Sequence, residues 1–136
     1  VENIFSSQFP KMDNQSKLFA LLHDSAEYVI SDMISPLKAH LGMTYETLDK
    51  KLTMAICIRF NIPTNTIKII KKQVKLADKM AAWLEAIQLA GFSQKEADTL
   101  FGKQVGVEGF KSHLSPATPF FVRKKFVNRF NELYNQ

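Results

Sequence analysis

Apolar residues along this chain recur at intervals of three and four, and no stretch alternates every second residue, so the pattern predicts helices almost throughout. Residues 1–8, with Val1, Ile4 and Phe5, read as the end of a helix. Asp13 and Asn14 are N-cap residue types ahead of a second helix that runs through Leu18, Leu21, Leu22, Ala26, Val29 and Ile30. Ser35-Pro36 marks a break, because proline disfavours helix at the residue before it, and Gly42 reads as a stop. A third helix is predicted from Tyr45 to Phe60, ended by Asn61-Ile62-Pro63. The longest runs from Asn65 to Ala90, where Ile67, Ile70, Val74, Ala77, Ala81, Leu84 and Ile87 share a face and Gly91 supplies the stop. Ser93 and Glu96 have capping-box spacing for a short helix ending near Phe101.

Residues 102–119 hold three glycines and two prolines and read as a loop. A last helix over residues 120–135 carries Phe120, Phe121, Val122, Phe126, Val127, Phe130, Leu133 and Tyr134, with the phenylalanines expected in the core. The fold class expected is all-α, a single domain over residues 1–136 built as a bundle of five to six helices.

Composition narrows the class without naming a function. A length of 136 residues with 46% apolar and 23% charged residues suits one globular core. No run reaches the ~18–20 uninterrupted apolar residues of a membrane span, so no membrane partner is expected. The lone Cys57 cannot form an intramolecular disulfide, which favours a cytoplasmic setting, and its apolar neighbours make it a buried small side chain. A net charge of +5 attracts phosphorylated molecules of any size.

The second predicted helix is apolar nearly all round, as a central helix is, yet it carries His23, Asp24 and Glu27. Spacings of three and four place these three on one side. Buried ionisable groups are costly unless paired or bound to metal, and a divalent cation is a common partner for all three. On the long helix, Asp78 sits at the flank of the apolar stripe, with Lys71, Lys75 and Lys79 on the neighbouring solvent stripe.

The run His23-Asp24-Ser25-Ala26-Glu27, then Asp32, then Ser35-Pro36-Leu37-Lys38, resembles HD-domain metal-dependent phosphohydrolases. Within them it is closest to the bacterial 5′-deoxynucleotidase branch and its phage and proteobacterial relatives. Val74-Lys75-Leu76-Ala77-Asp78 is similar to the V-K-x-A-D segment of that family, and the match spans about residues 18–90. The resemblance implies that His23, Asp24 and Asp78 ligate a divalent metal ion, with Mn, Co, Fe, Ni, Zn or Mg as candidates. The family's fourth ligand, a histidine on the preceding helix, would lie upstream of Val1. It further implies Glu27 as the acid/base residue, Asp32 as a substrate contact near the sugar and Lys38 as a phosphate contact.

The residue types suit that chemistry, since a metal activates water at neutral pH, a carboxyl group in an apolar setting can donate a proton to the leaving oxygen, and a lysine offsets phosphate charge. The expected activity is removal of phosphate from a nucleotide, with a (deoxy)nucleoside monophosphate as the first candidate. Its competitors are an HD-like module that binds nucleotide or protein without turnover and, last, a basic nucleic-acid-binding protein. Apolar helices also leave room for a homodimer, which the resembled branch often forms. His40 reads as a surface residue and His113 as a loop residue, Trp83 as core or interface, and Arg123, Lys124, Lys125 and Arg129 as the solvated face of the last helix.

Overall fold

The computed structural model describes residues 1–105 and 114–135. Among them it is all-helical: α1 (Glu2–Gln8), α2 (Asn14–Leu21), α3 (Glu27–Ile30), α4 (Ser35–Arg59), α5 (Thr64–Gln88), α6 (Gln94–Phe101) and α7 (Pro119–Tyr134). The predicted loop's residues 106–113, His113 included, lie outside the described residues. No helix among the described residues is long and apolar enough to cross a membrane.

Helix α2 begins where the sequence places it. The Asp13 carboxylate accepts a hydrogen bond from the Ser16 N–H at 2.8 Å, satisfying a first-turn donor that the helix itself leaves free. Its Leu18, Phe19 and Ala20 are buried, and α1, α5 and α7 pack around it. The core joins Ile4 and Phe5 of α1 to Ile70, Val74, Ala77, Met80, Ala81 and Leu84 of α5 and to Leu133 of α7. Each of the larger side chains contributes about 1.5–3 kcal/mol by leaving water. Ala20 and Ala77 have no exposed surface at all. Such small residues let two helices approach closely, and here they stand just before His23 and Asp78.

One predicted boundary is corrected, and among the described residues seven helices replace the expected five to six. The second helix does not continue to Ile30 but ends at Leu21. Tighter turns follow, with Ser25 N–H bonded to Leu22 O and Glu27 N–H to Asp24 O, before the single turn of α3. His23 Nδ1 lies 3.0 Å from Ala20 O, the carbonyl that an uninterrupted helix would give to the Asp24 N–H. A side chain thus competes with the helix for its own backbone acceptor. Gly42 interrupts the helix as predicted, although the segments on either side run on as one element. It sits within α4 at φ 54° and ψ −133°, a conformation open to glycine, and splits that helix into two arms.

The far arm of α4 joins the core through Cys57, 1% exposed, and through Ile56 and Phe60. Trp83 of α5 packs against the core, and its Nε1–H donates to Asp98 of α6 at 2.8 Å. The Ser93–Glu96 capping box forms as its spacing predicts. The phenylalanines of α7 divide. Phe130 packs edge-on against Phe60, whereas Phe120, Phe121 and Phe126 are exposed, contrary to the expectation of a core position. Arg129 is not a solvated residue of the basic face either. It donates from Nε and Nη2 to the buried Glu2 carboxylate at 3.0 and 2.7 Å, clamping α7 to α1.

Candidate metal centre

His23, Asp24 and Asp78 converge at the junction of α2 and α5. His23 Nε2 is 2.8 Å from Asp24 Oδ2 and 3.5 Å from Asp78 Oδ1, and one ligand atom from each residue lies within 4.8 Å of the others. The break after Leu21 matters here. It places the dyad in a turn, from which both His23 and Asp24 reach the side of α5 that carries Asp78.

The histidine tautomer follows from the contacts. Nδ1 faces the Ala20 carbonyl, so Nδ1 carries the proton and donates it. Once the ring gives up its second proton, Nε2 is the electron-pair donor. It is buried and meets no hydrogen-bond partner of acceptable geometry, although two carboxylate oxygens stand nearby. An orphaned buried nitrogen beside two carboxylates, its ring held by a backbone carbonyl, is the arrangement in which a histidine ligates a metal. One imidazole and two carboxylates form a donor set that suits a transition-series divalent ion or Mg. The residues present fit the group that the sequence implies.

Electrostatics of the cluster favour a cation. Burial opposes a charged His23 ring, yet Asp24 and Asp78 outweigh it and raise its pKa to about 9. The nearby His23 ring, when charged, holds the Asp78 carboxyl below its ordinary value against the opposing effect of burial. Lys38 acts in the same direction.

The other three sequence-derived residues form a second group. Lys38, in the first turn of α4, donates to Glu27 Oε1 at 3.0 Å and lies 3.9 Å from Asp32. Burial opposes its charge, but Glu27 outweighs that and raises the Lys38 pKa, with Tyr45 adding to the effect. Glu27 was expected in an apolar setting and instead faces an ammonium group, because the kinked α4 brings Lys38 across it. Asp32 is largely exposed in the extended link between α3 and α4. His40 is exposed, as predicted.

A cavity of about 230 Å³ opens beside the His23 cluster. Phe19, Ile67 and Val74 line it with apolar surface, while Asp49 and Thr53 of α4 and Lys71 and Lys75 of α5 supply polar groups next to His23 and Asp78. Sequence reasoning left these four polar residues out of the site. The spacing of Lys71, Lys75 and Asp78 by four and three was the available signal.

An uncharacterized protein from Rhodobacter capsulatus is 44% identical to this chain over 135 residues, spanning 98% of this chain and 68% of that protein. The chain belongs to the same family as that protein. No family model matches the chain.

Proposed function

We propose that this protein is a metal-dependent phosphohydrolase of the HD type that removes phosphate from a nucleotide, with a (deoxy)nucleoside monophosphate as the first candidate substrate. The observation that carries this reading is the buried, unpartnered His23 Nε2 beside Asp24 and Asp78. His23, Asp24 and Asp78 hold the cation.

When bound, a divalent ion supplies Lewis acidity and activates water for attack on phosphorus. Glu27 is the proton-transfer residue. Its carboxylate, held by Lys38, accepts a proton from the attacking water and returns it to the leaving ester oxygen. Lys38 also presents positive charge toward the phosphate, and Asp32 is free to accept a sugar hydroxyl.

The proposed partner, besides substrate, is a second copy of the chain. An apolar groove of about 670 Å³ runs between α3, the far arm of α4 and α7, lined by Ala26, Tyr28, Val29, Leu52, Ile56, Phe126 and Val127 among others. Tyr28 is 96% exposed and Val29 66%. Contiguous apolar surface of this kind commonly marks an interface.

The decisive experiment measures phosphate release from ribo- and deoxyribonucleotides with Mn, Co or Mg, using the full-length protein beside Asp78→Ala. Release that disappears in the variant supports the hydrolase and names its substrate. Nucleotide binding without release above the variant's level overturns the hydrolase in favour of a binding module.

A further inference from the structure

Three lysines stand near the candidate centre, and they differ in how far their charge is already used. Lys38 is committed to Glu27 at 3.0 Å and to Asp32 at 3.9 Å. Lys71 and Lys75 have no ion pair or hydrogen bond among the described residues, yet both line the cavity that holds His23 and Asp78. They lie one helical turn apart on α5, and Asp78 follows Lys75 by three, so all three side chains project from one strip of the helix. Asp49 and Thr53 face them from α4.

We propose that Lys71 and Lys75 are the anion-binding wall of this cavity and give the protein its preference for dianionic phosphate monoesters over monoanionic diesters. The assignment rests on the phosphohydrolase reading of the His23 cluster and gives a role to Lys71, outside the sequence motifs, and to Lys75, to which the motif assigned none.

The cavity's size agrees. At about 230 Å³ it is smaller than the ~300–1,000 Å³ typical of sites that enclose a whole small ligand, so it fits one end of a nucleotide. That end is the phosphate, because one wall carries two uncommitted cations and the adjoining corner carries the candidate metal ligands. A monoester presents two negative charges and three terminal oxygens, enough to engage the metal and both ammonium groups at once. A diester has one charge and only two such oxygens, and its second substituent would project into the lysine wall. Thr53 adds a hydroxyl that can donate to the same oxygens, while Asp49 disfavours a larger anionic group at the α4 side.

The test uses the full-length protein and the double variant Lys71→Gln/Lys75→Gln, which keeps side-chain length and polarity. Its control is Lys68→Gln/Lys72→Gln, which removes the same charge from exposed positions of α5 outside the cavity. Calorimetry with Mn measures binding of the metal alone, then of inorganic phosphate, then of a nucleoside monophosphate. Lost charge-assisted bonds predict roughly ten-fold weaker phosphate binding or more in the cavity variant. Metal affinity should stay unchanged, and the control should lose no more than about two-fold.

Equal losses in cavity variant and control overturn the proposal, because they report only the general field. So does a metal-loaded wild type that binds no phosphate. If the cavity variant alone loses nucleotide binding and the wild type never releases phosphate, the anion wall stands and the hydrolase reading falls. If phosphate is released and the double variant keeps its KM for a monoester, the hydrolase stands and the anion wall falls. An unchanged monoester-to-diester ratio of kcat/KM in the variant removes the selectivity role.

Discussion

His23 Nε2 and Asp78 Oδ1 stand 3.5 Å apart across the junction of α2 and α5, His23 in the turn just past α2 and Asp78 on α5, with Ala20 and Ala77 buried just before them. Asp78→Ala removes a proposed ligand while leaving the buried faces of both helices intact. Divalent-metal affinity should fall by more than the ~10–100-fold lost when only a supporting partner of a ligand is removed. Titration of Mn into the variant, with circular dichroism as the check on folding, measures this. Unchanged affinity would take Asp78 out of the ligand set.

The pH dependence of metal uptake follows from His23. Its folded-state pKa of about 9 lies above the ordinary 6.5, so in the metal-free protein its contribution to stability is complete below pH 6.5 and is lost as pH rises through about 9. A metal needs the same nitrogen without its proton. Uptake near pH 7 should therefore release about one proton, and apparent affinity should rise with pH up to about 9. Calorimetric titrations in two buffers of different ionisation enthalpy read the proton count. A count of zero would mean that the cation binds carboxylates alone.

Arg129→Ala strands the Glu2 carboxylate, whose side chain is only 4% exposed. Breaking a fully buried pair costs about 3–5 kcal/mol, and the partial exposure of Arg129 lowers the expected loss to about 2–3 kcal/mol. Burial pushes the Glu2 pKa up, but Arg129 and Ser6 outweigh it and leave the group below 4.5. The pair therefore stabilises the fold above pH 4.5, and that contribution is lost as pH falls through the lower folded-state value. Urea melts at pH 7 and pH 3 should show a smaller gap between variant and wild type at the acid end.

Val127→Glu places a carboxylate in the apolar groove. As a monomer the protein should tolerate it, since Val127 is 44% exposed. Across a two-copy contact it would bury an unpaired charge. Sedimentation equilibrium should show a wild-type dimer and a variant shifted to monomer with its melting temperature little changed. A wild type that stays monomeric at every concentration removes the second copy from the proposal.

Much of this architecture is legible in the sequence where a local pattern settles a local question. The seven apolar positions predicted for the long helix include Ile70, Val74, Ala77, Ala81 and Leu84, all buried, and Ser93 with Glu96 forms the capping box. The helix break at Leu22 has no proline or glycine to announce it, and it depends on where the His23 ring finds an acceptor. Phe120 and Phe121 keep helical spacing whether they meet a core or nothing at all, because periodicity records a face and not what covers it. Lys71 and Lys75 look like solvent residues on α5 alone. Only the placement of α4 opposite them encloses a cavity.

Gly42 gives the candidate site a lever. Lys38 rides on the near arm of α4, and Asp49 and Thr53 ride on the far arm. The angle between the arms is set at Gly42, where an added Cβ would meet no neighbour. The far arm is anchored in the core, and Lys38 lies four residues before this pivot, about 6 Å along the helix, so a 10° swing would carry it roughly 1 Å. A glycine whose added side chain would meet no neighbour thereby governs how far Lys38 stands from Asp49 and Thr53, and the reach of the site is tunable from a point outside it.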